Sequence, residues 1–160
     1  MPLREALAFV DDCLTGYGIR QHSRIIASGK TLTGFHLVKN LSLGADICNS
    51  ARGMMFALGC VQSLTCNTNH CPSGVATQNP KLYRGLVVTD KAQRVALFHE
   101  NTVHTTAEII ASAGLNKASQ LNRTHINRRI NQSAVMRYDQ ILPYLKEGCL
   151  IDGNVPPSFQ

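Results

Sequence analysis

The sequence predicts an α/β fold built around parallel strands. Three observations lead to this prediction: two short apolar runs that each end in a polar turn, helical spacing of apolar residues around those runs, and glycines where the helical patterns stop. The first sixty residues follow the order helix, strand, helix, strand, helix. This alternation is typical of consecutive βα units in a parallel sheet.

The first half of the chain contains five predicted elements. Apolar residues recur with helical spacing from Leu3 to Leu14, and Gly16 and Gly18 end the first helix. The elements that follow are a strand at 24–27, a helix at 33–43, a strand at 45–48 and a helix at 54–58. The last of these helices leads directly into a loop rich in cysteine.

The second half is predicted to be helical. A long helix starts near Thr89 or Asp90, either of which can cap its first turn, and Gly114 ends it. Shorter helices are predicted at 118–129 and 133–145. The arginines of this half, Arg123, Arg128, Arg129 and Arg137, form a basic cluster in the sequence. Such a cluster can attract nucleic acid or an acidic electron carrier, and a solvated helix face is the simpler interpretation, which we favour.

The composition limits the class of protein. A chain of 160 residues with 44% hydrophobic residues can bury one core of ordinary domain size. Apolar runs stay well short of the ~20 residues that cross a bilayer, and the first residues lack the pattern of an export signal. We therefore expect a soluble cytoplasmic protein with no membrane and no nucleic-acid partner, whose six cysteines are thiols and not disulfides.

Both predicted strands end in turns that can hold an anion. The first strand is followed by Ser28, Gly29 and Lys30, and the second by the run from Asn49 to Arg52, which includes Ser50 and Ala51. Small residues allow close approach of the backbone, and amide groups at the start of a following helix favour phosphate. Because each turn also carries one basic residue, the pair predicts a shared phosphate site.

Three thiols stand close together after the third helix. Cys60, Cys66 and Cys71 are spaced C-x5-C-x4-C, and Pro72 follows the last of them. Short irregular loops of this kind are typical of iron-sulfur sites, where a proline after the last cysteine keeps the chain from continuing as a helix. Zinc, with His70 as a fourth ligand, and loop cysteines without any metal are the alternatives that the spacing leaves open.

The segment from Ala27 to Gln78 strongly resembles the FMN-binding synthase domain of glutamate synthases, in particular its compact bacterial and archaeal members. The strings that carry the resemblance are Ala27-Ser-Gly-Lys-x-x-Thr-Gly34, Leu43-Gly-Ala-Asp-x-Cys-Asn-Ser-Ala-Arg52, Phe56-Ala-Leu-Gly-Cys60 and Cys66-Asn-Thr-Asn-x-Cys-Pro-x-Gly-Val-Ala-Thr-Gln78. A looser match continues through Tyr83-Arg-Gly-Leu-Val-Val-x-Asp-Lys-Ala-Gln-Arg-Val95. The large members tend to have a second glycine where this chain has Lys30.

The resemblance implies a (β/α)8 barrel with FMN at the carboxyl ends of its strands. It assigns Ser28 to Lys30 to the loop after strand seven and Asn49 to Arg52 to the loop after strand eight, both on the FMN phosphate. It also implies that Cys60, Cys66 and Cys71 hold a 3Fe-4S cluster. In the family, electrons pass through the cluster to FMN, which reduces 2-iminoglutarate, formed from 2-oxoglutarate and ammonia, to glutamate.

A complete barrel needs about 250 residues. We therefore expect this chain to be the carboxyl-terminal part of such a domain, without roughly the first six strands and without the catalytic residues, so that it is inactive by itself. The expected parts are βα units at 1–59, a cluster loop at 60–80 and a helical extension at 81–160. Ammonia or glutamine, and ferredoxin or another electron donor, are the expected partners. The alternative is a non-enzymatic iron-sulfur electron-transfer subunit that completes the barrel of a separate chain.

Overall fold

The computed structural model describes residues 1–159, and it confirms a mixed α/β architecture. The βα part consists of α1 (Leu3–Gly16), β1 (Ile26–Ser28), α2 (Gly34–Ser42), β2 (Ile47–Asn49) and α3 (Ala51–Ala57). The remaining regular elements are α4 (Pro80–Tyr83), α5 (Val88–Ser112), β3 (Asn127–Arg129), β4 (Val135–Arg137) and α6 (Tyr138–Ile141). Single 3-10 turns lie at Arg20–His22, Ala118–Gln120, Arg123–His125 and Pro157–Phe159. Gln160, the last residue of the predicted extension, lies outside the described residues.

The two predicted strands pair in parallel. Ile26 is opposite Ile47, and Ser28 is opposite Asn49 at the carboxyl ends of the strands. The backbone between them returns through α2, which begins at a Thr33 cap whose side chain accepts from the backbone amide of His36. The pairing therefore places the two predicted phosphate turns at the same edge of the sheet.

Two apolar clusters hold these elements together. The first joins α1 to the strands and to α6 and consists of Leu7, Ala27, Leu43, Ala45 and Tyr138. The second joins α2 to α5 and consists of Val38, Ile110 and Leu121. Burial of these side chains supplies the main driving force for packing the helices on the strand pair.

One face of the strand pair is not covered by described residues. Ile26 and Ile47, which are opposite one another in the register, are 55% and 50% exposed. Ala27, which points to the other face, is 1% exposed. Alternation along a strand explains this difference, because successive side chains point to opposite faces. The outer face therefore presents a pair of large aliphatic side chains to solvent.

The carboxyl-terminal segment differs from the helices predicted at 118–129 and 133–145. Instead, β3 and β4 form an antiparallel hairpin, with Arg128 opposite Met136. The carboxamide oxygen of Asn131 accepts from the backbone amides of Ser133 and Ala134. This local acceptor competes with helix formation and reverses the chain. The predicted extension is therefore helical mainly through α5.

Two helix starts also differ from the predictions. Val87, and neither Thr89 nor Asp90, stands at the cap position of α5, which has no side-chain cap. The third helix begins at Ala51, three residues before its predicted start at Met54. At the other end of α5, Gly114 adopts a φ of 75°, as expected for a glycine that ends a helix.

Arg123 fastens the carboxyl-terminal segment to α1. Its side chain is completely buried, and its two terminal nitrogens donate to both carboxylate oxygens of Asp12 at 3.0 and 2.9 Å. The guanidinium also donates to the carbonyls of Ala8 and Leu142 and lies 4.3 Å from the ring centroid of Tyr144. Burial raises the pKa of Asp12, and hydrogen bonds from Arg123 oppose that rise. The charged form of the buried Asp12 side chain is therefore stabilised by Arg123.

A second arginine links the amino ends of the strands. Arg20 donates to Asp11 at 2.7 Å and to Asp46 at 2.9 Å, and it also donates to the carbonyl of Gly44. Asp46 in turn accepts from the backbone amide of Ile25, the residue directly before β1. Since Asp11 also lies 3.4 Å from Arg123, one continuous charge network ties α1, both strands and the extension.

No helix among residues 1–159 combines the length and the apolar character that crossing a bilayer requires.

Candidate functional site

The carboxyl ends of β1 and β2 bring the two predicted anion-binding turns together. Ser28 and Asn49 are directly opposite each other in the parallel register. Ser50, the next residue after β2, donates its hydroxyl to the carbonyl of Thr31, which follows the first turn. This hydrogen bond joins the two turns directly and adds Thr31, which is not among the predicted site residues, to the site.

The first turn has an unusual backbone. Gly29 has a φ of 147° and Lys30 a φ of 51°, so two successive residues adopt the left-handed region. Ser28, Gly29 and Lys30 are all exposed. Leu3 of α1 packs beneath this turn, 3.3 Å from the point where a side chain on Gly29 would begin. The turn is thus supported from below and open to solvent above.

The second turn leads into the start of α3. Asn49, Ala51 and Arg52 are exposed, and Ser50 is half-buried. Because the Ser50 hydroxyl is used by Thr31, α3 has no side-chain cap at its start. Amide groups in the first turn of a helix lack partners within the helix, which makes them suitable for an anion. Lys30 and Arg52 place one exposed cation in each of the two turns at this edge.

The cysteine-rich segment forms the predicted irregular loop between α3 and α4. Cys60 is half-buried and its amide donates to the carbonyl of Met55, so it directly follows the last turn of α3. Cys66 is exposed and Cys71 is buried. The three thiols therefore occupy three different environments along one loop.

The Cys71 thiol is surrounded by groups that can donate hydrogen bonds to it. The Ser73 hydroxyl, 3.4 Å from the Cys71 sulfur, and the backbone amides of Ala76, Ser73 and Val75 lower the pKa of the thiol to about 7. All these groups favour the thiolate because they donate to it. A thiolate is the form that binds metal, so the environment of Cys71 suits a ligand.

Cys66 borders the same short segment from the other side. It lines a cavity of about 490 Å³ together with Val75 and Ala76, whose backbone amides face the Cys71 sulfur. Asn69 stabilises this half of the loop: its side-chain oxygen accepts from the backbone amide of Gln78 at 2.6 Å. Hydrogen bonds within segment 66–78 therefore hold it together around two of the three thiols, Cys66 and Cys71.

Gly74 fixes how this half of the loop packs. It has a φ of 76°, and a Cβ at this position would lie 2.5 Å from the carbonyl oxygen of Leu82 in α4. Real side chains do not tolerate such a distance, so only glycine fits. The cysteine loop and α4 therefore pack backbone against backbone.

The other half of the loop is open. Val61 and Leu64 are 66% and 86% exposed, and Gln62 and Leu64 have positive φ angles of 55° and 57°. A positive φ angle is costly for residues other than glycine, and such backbone strain is typical of functional loops. Among residues 1–159, no three histidine, cysteine or acidic side chains lie together as a ready metal site. The assignment of Cys60, Cys66 and Cys71 as a common ligand set thus stays a prediction.

His70, the fourth ligand of the zinc alternative, is turned toward its own loop. Its Nδ1 lies 2.7 Å from the carbonyl oxygen of Thr68, and the residue is exposed. This contact uses one ring nitrogen and leaves Nε2 as the nitrogen open to a ligand.

The arginines that form a cluster in the sequence do not form one basic surface. Arg123 is buried against Asp12, Arg128 lies 3.5 Å from Glu5, and Arg137 pairs with Asp139 at 2.9 Å. The fourth, Arg129, donates to the carbonyl of Gln132. The predicted solvated helix face is also wrong, because three of the four arginines belong to the hairpin strands. Acidic partners within the chain neutralise most of the charge that suggested an acidic binding partner.

Sequence reasoning missed two residues that shape the site. Thr31 accepts from Ser50 and thereby joins the two turns, and the Ser73 hydroxyl lies 3.4 Å from the Cys71 sulfur. Both follow a predicted site residue by one or two positions, so a search for hydroxyl groups immediately after each motif would have found them.

The chain is similar to known proteins over most of its length. A model of the conserved region in glutamate synthase matches residues 1–116. The chain is 39% identical over 142 residues to YerD, a glutamate synthase large subunit-like protein of Bacillus subtilis, and the alignment covers 89% of this chain and 27% of YerD. It is 36% identical over 121 residues to the archaeal glutamate synthase (NADPH) of Methanocaldococcus jannaschii. It is 32% identical over 121 residues to the archaeal-type glutamate synthase (NADPH) of Thermotoga maritima.

These alignments cover most of this chain but only a small part of each relative. Each of the latter two covers 76% of this chain and 24% of the relative. The chain therefore spans about a quarter of the length of the curated relatives it matches.

Proposed function

Because the chain belongs to the glutamate synthase family, we propose that it forms the carboxyl-terminal part of an FMN-binding (β/α)8 barrel that carries a 3Fe-4S cluster. In this proposal β1 and β2 are strands seven and eight of the barrel. The barrel units are residues 1–59, the cluster loop is 60–80, and 81–160 is an extension. The proposed reaction of the whole protein is the reductive amination of 2-oxoglutarate to glutamate, with nitrogen from ammonia or glutamine.

The parallel register of Ser28 and Asn49, reinforced by the hydrogen bond from Ser50 to Thr31, carries this proposal. It places two turns, each with a cation, at the carboxyl edge of adjacent parallel strands. This edge is where phosphate is bound in α/β barrels. Lys30 and Arg52 would pair with the phosphate of FMN, while the backbone amides of Gly29 and Ala51 would donate to its oxygens.

When bound, FMN supplies hydride chemistry. The residues of this chain would hold its phosphate and thereby fix its position against the rest of the barrel. Cys60, Cys66 and Cys71 would hold the cluster through their sulfurs. The donor chemistry at Cys71 fits this role because hydroxyl and amide donors already favour its thiolate. Cys60 and Cys66 flank the exposed segment from Val61 to Leu64.

The uncovered face of the strand pair fits a larger barrel. Ile26 and Ile47 would be buried by the remaining strands and helices, which either other residues of the same protein or a separate chain can supply. In this proposal the substrate-binding and catalytic residues lie in that remainder. This chain alone is then inactive but able to take part in cofactor binding.

Flavin and metal binding test the proposal directly. We expect the full chain to bind FMN more tightly than riboflavin, because the turns recognise the phosphate that riboflavin lacks. We also expect iron and acid-labile sulfide with visible absorption after anaerobic reconstitution. Equal affinity for FMN and riboflavin would contradict the phosphate site, and zinc without visible absorption would contradict the cluster.

The exposed pair Ile26 and Ile47 also favours a second candidate function, a non-enzymatic electron-transfer subunit that docks on a separate barrel chain. Iron and sulfide without any FMN binding would support that candidate. The reductant is identified by comparing reduced ferredoxin with NADPH, the reductant in the names of the archaeal and archaeal-type relatives. The reduction of the cluster is monitored through its visible absorption.

A further inference from the structure

Asn40, in the last turn of α2, is a buried polar residue behind the two anion-binding turns. It is 1% exposed, and its side-chain nitrogen donates to the hydroxyl of Thr31 at 3.2 Å. Thr31 is 3% exposed and directly follows Lys30, the last residue of the first turn. Because both partners are buried, solvent does not compete for this hydrogen bond. It therefore fixes the position of Thr31 relative to α2.

Thr31 connects the buried amide group to the second turn as well. Its hydroxyl accepts from Asn40, and its carbonyl accepts from the hydroxyl of Ser50. Asn40 is also a neighbour of Cys48 in β2. Burial raises the pKa of the Cys48 thiol, and a hydrogen bond from Asn40 opposes that rise. One side chain thus lies between the residue that follows the first turn and the residue that precedes Asn49 of the second.

The packing of α2 gives this side chain a fixed base. Gly34, at the start of the helix, lies so close to α5 that a Cβ at this position would stand 3.0 Å from the backbone nitrogen of Thr106. Val38 of α2 and Ile110 of α5 belong to the same buried apolar cluster. Side chains and backbones packed at this density leave little room for a helix to shift. The hydrogen bond from Asn40 therefore ties the turns to a rigid part of the chain.

The other half of the Asn40 amide group does not add to stability. Its Oδ1 is buried and has no hydrogen-bond partner within residues 1–159. A buried polar atom without a partner lowers stability, and such atoms are rare in folded proteins. Asparagine is also a poorer helix former than alanine. The hydrogen bond to Thr31 is thus the feature that an apolar residue at this position would lack.

We propose that Asn40 is a positioning residue for the phosphate site, which acts through Thr31 to hold the two turns at the separation that suits one phosphate group. The inference rests on the proposed FMN phosphate site. Without the hydrogen bond from Asn40, Thr31 and the carbonyl that binds Ser50 gain freedom to move. The amides and cations of the two turns then converge less well on the same ligand. Exact placement of binding groups depends on supporting hydrogen bonds of this kind.

Four single variants of the full chain and one double variant test the inference. Asn40→Ala removes the donor, and Thr31→Val removes the acceptor hydroxyl with little change of shape, whereas Thr31→Ser keeps that hydroxyl. The double variant combines Asn40→Ala with Thr31→Val. Ser42→Ala is the matched control, because Ser42 is a second buried polar residue of α2, and its hydroxyl has no partner within residues 1–159.

The affinities for FMN and for riboflavin are measured by quenching of flavin fluorescence, and their ratio reports recognition of the phosphate. We expect this ratio to fall about fivefold in Asn40→Ala and in Thr31→Val, as for the loss of one hydrogen bond. Because both variants break the same bond, the double variant should lose no more than either single variant. Thr31→Ser and Ser42→Ala should keep the ratio of the unmodified chain.

An unchanged ratio in Asn40→Ala or in Thr31→Val would overturn the inference. Equal losses of FMN and riboflavin affinity would also overturn it, since they would indicate a general effect on the fold. Additive losses in the double variant, or a loss of similar size in Ser42→Ala, would show that Asn40 does not act through Thr31. An unmodified chain that binds FMN no more tightly than riboflavin would instead overturn the proposed phosphate site.

Discussion

The two ends of the parallel strand pair differ in what their polar groups bind. At the amino end, Arg20 bonds to both Asp11 and Asp46, so that the charges are satisfied within the chain. At the carboxyl end, Ser28 and Asn49 are exposed and are followed by turns whose cations, Lys30 and Arg52, form no ion pair within residues 1–159. One end is internally closed, and the other is available to a ligand.

This difference indicates that the amino end of the strand pair stabilises the fold and that the carboxyl end binds the ligand. Ligands of parallel α/β proteins bind beyond the carboxyl ends of the strands, whereas the opposite end serves stability. Substitutions in the charge network should therefore lower the free energy of unfolding and spare cofactor affinity. Substitutions in the exposed turns should do the reverse.

The largest effect is expected from Arg123→Met. It leaves the Asp12 carboxylate, which is 5% exposed, without its bidentate partner. Loss of one partner from a buried ion pair costs about 3–5 kcal/mol of unfolding free energy. Chemical denaturation of the full chain measures this loss, and FMN affinity of the folded protein should stay the same.

A double variant identifies the cause of that loss. Arg123→Met combined with Asp12→Leu removes both charges, and well-packed apolar replacements of a buried pair are often neutral. The double variant should therefore regain much of the stability that Arg123→Met loses. If the two variants are equally unstable, packing and not charge pairing explains the role of Arg123.

The next largest effect is expected at the carboxyl end, from Lys30→Met. Loss of one charge-assisted hydrogen bond to phosphate costs about 1.5–3 kcal/mol, which corresponds to at least a tenfold weaker affinity for FMN. Riboflavin affinity should not change, because riboflavin has no phosphate. Quenching of flavin fluorescence measures both affinities.

Lys117→Met serves as the control for Lys30→Met, because it removes an exposed charge outside the turns. The unfolding free energy of both variants should stay within about 0.5 kcal/mol of the unmodified chain, as for most surface substitutions. An equal loss of affinity for FMN and riboflavin in Lys30→Met would show that Lys30 does not recognise phosphate.

The carboxyl end was the more predictable of the two from sequence. Its residues are consecutive: glycine and a cation follow β1 directly, and a small polar run follows β2, so local pattern is sufficient to find them. The amino end depends on contacts between distant residues. Arg123 and Asp12 are separated by 111 positions, and no local pattern indicates that they meet.

The same distinction explains the errors in the second half of the chain. Proximity in sequence predicts a basic cluster, but in the folded chain Arg128 pairs with Glu5 and Arg137 pairs with Asp139. The hairpin strands contain only three residues each, too few for a strand pattern to stand out against a helical one. The hydrogen bonds of Asn131 decide the local structure there.

A smaller effect is expected from Ser50→Ala, which removes the hydrogen bond that joins the two turns. A single hydrogen bond of this kind contributes about 1 kcal/mol. Thr31 follows the first turn and Ser50 begins the second. Loss of the hydrogen bond between them should therefore weaken FMN affinity several-fold and lower stability slightly. Titration calorimetry with FMN measures the first effect and thermal melting the second.

Ser63→Ala is the matched control for Ser50→Ala, since its hydroxyl lies 2.9 Å from the hydroxyl of Thr65, within the cysteine loop and away from the two turns. It should leave FMN affinity unchanged. If Ser50→Ala binds FMN as tightly as the unmodified chain, the two turns do not need their direct link in order to act together.

The smallest effect is a pH dependence of stability. It arises from His36, in the first turn of α2, at the carboxyl end of the strand pair. Burial, and to a lesser extent Lys39, lowers the pKa of His36 below its ordinary value of 6.5. The unfolded chain therefore takes up a proton before the folded chain does as the pH falls. Stability is fully present above the ordinary pKa and decreases as the pH falls through it toward the lower folded value.

His36→Gln tests this linkage because glutamine is neutral at every pH in the range and retains hydrogen-bonding capacity near Thr33, whose hydroxyl lies 3.0 Å from His36 Nδ1. The melting temperature of the unmodified chain should fall more between about pH 7.5 and pH 5.5 than that of the variant. Identical falls would assign the acid sensitivity to other groups. A larger fall in the variant would contradict the lowered pKa, since it would mean that protonation of His36 stabilises the folded chain.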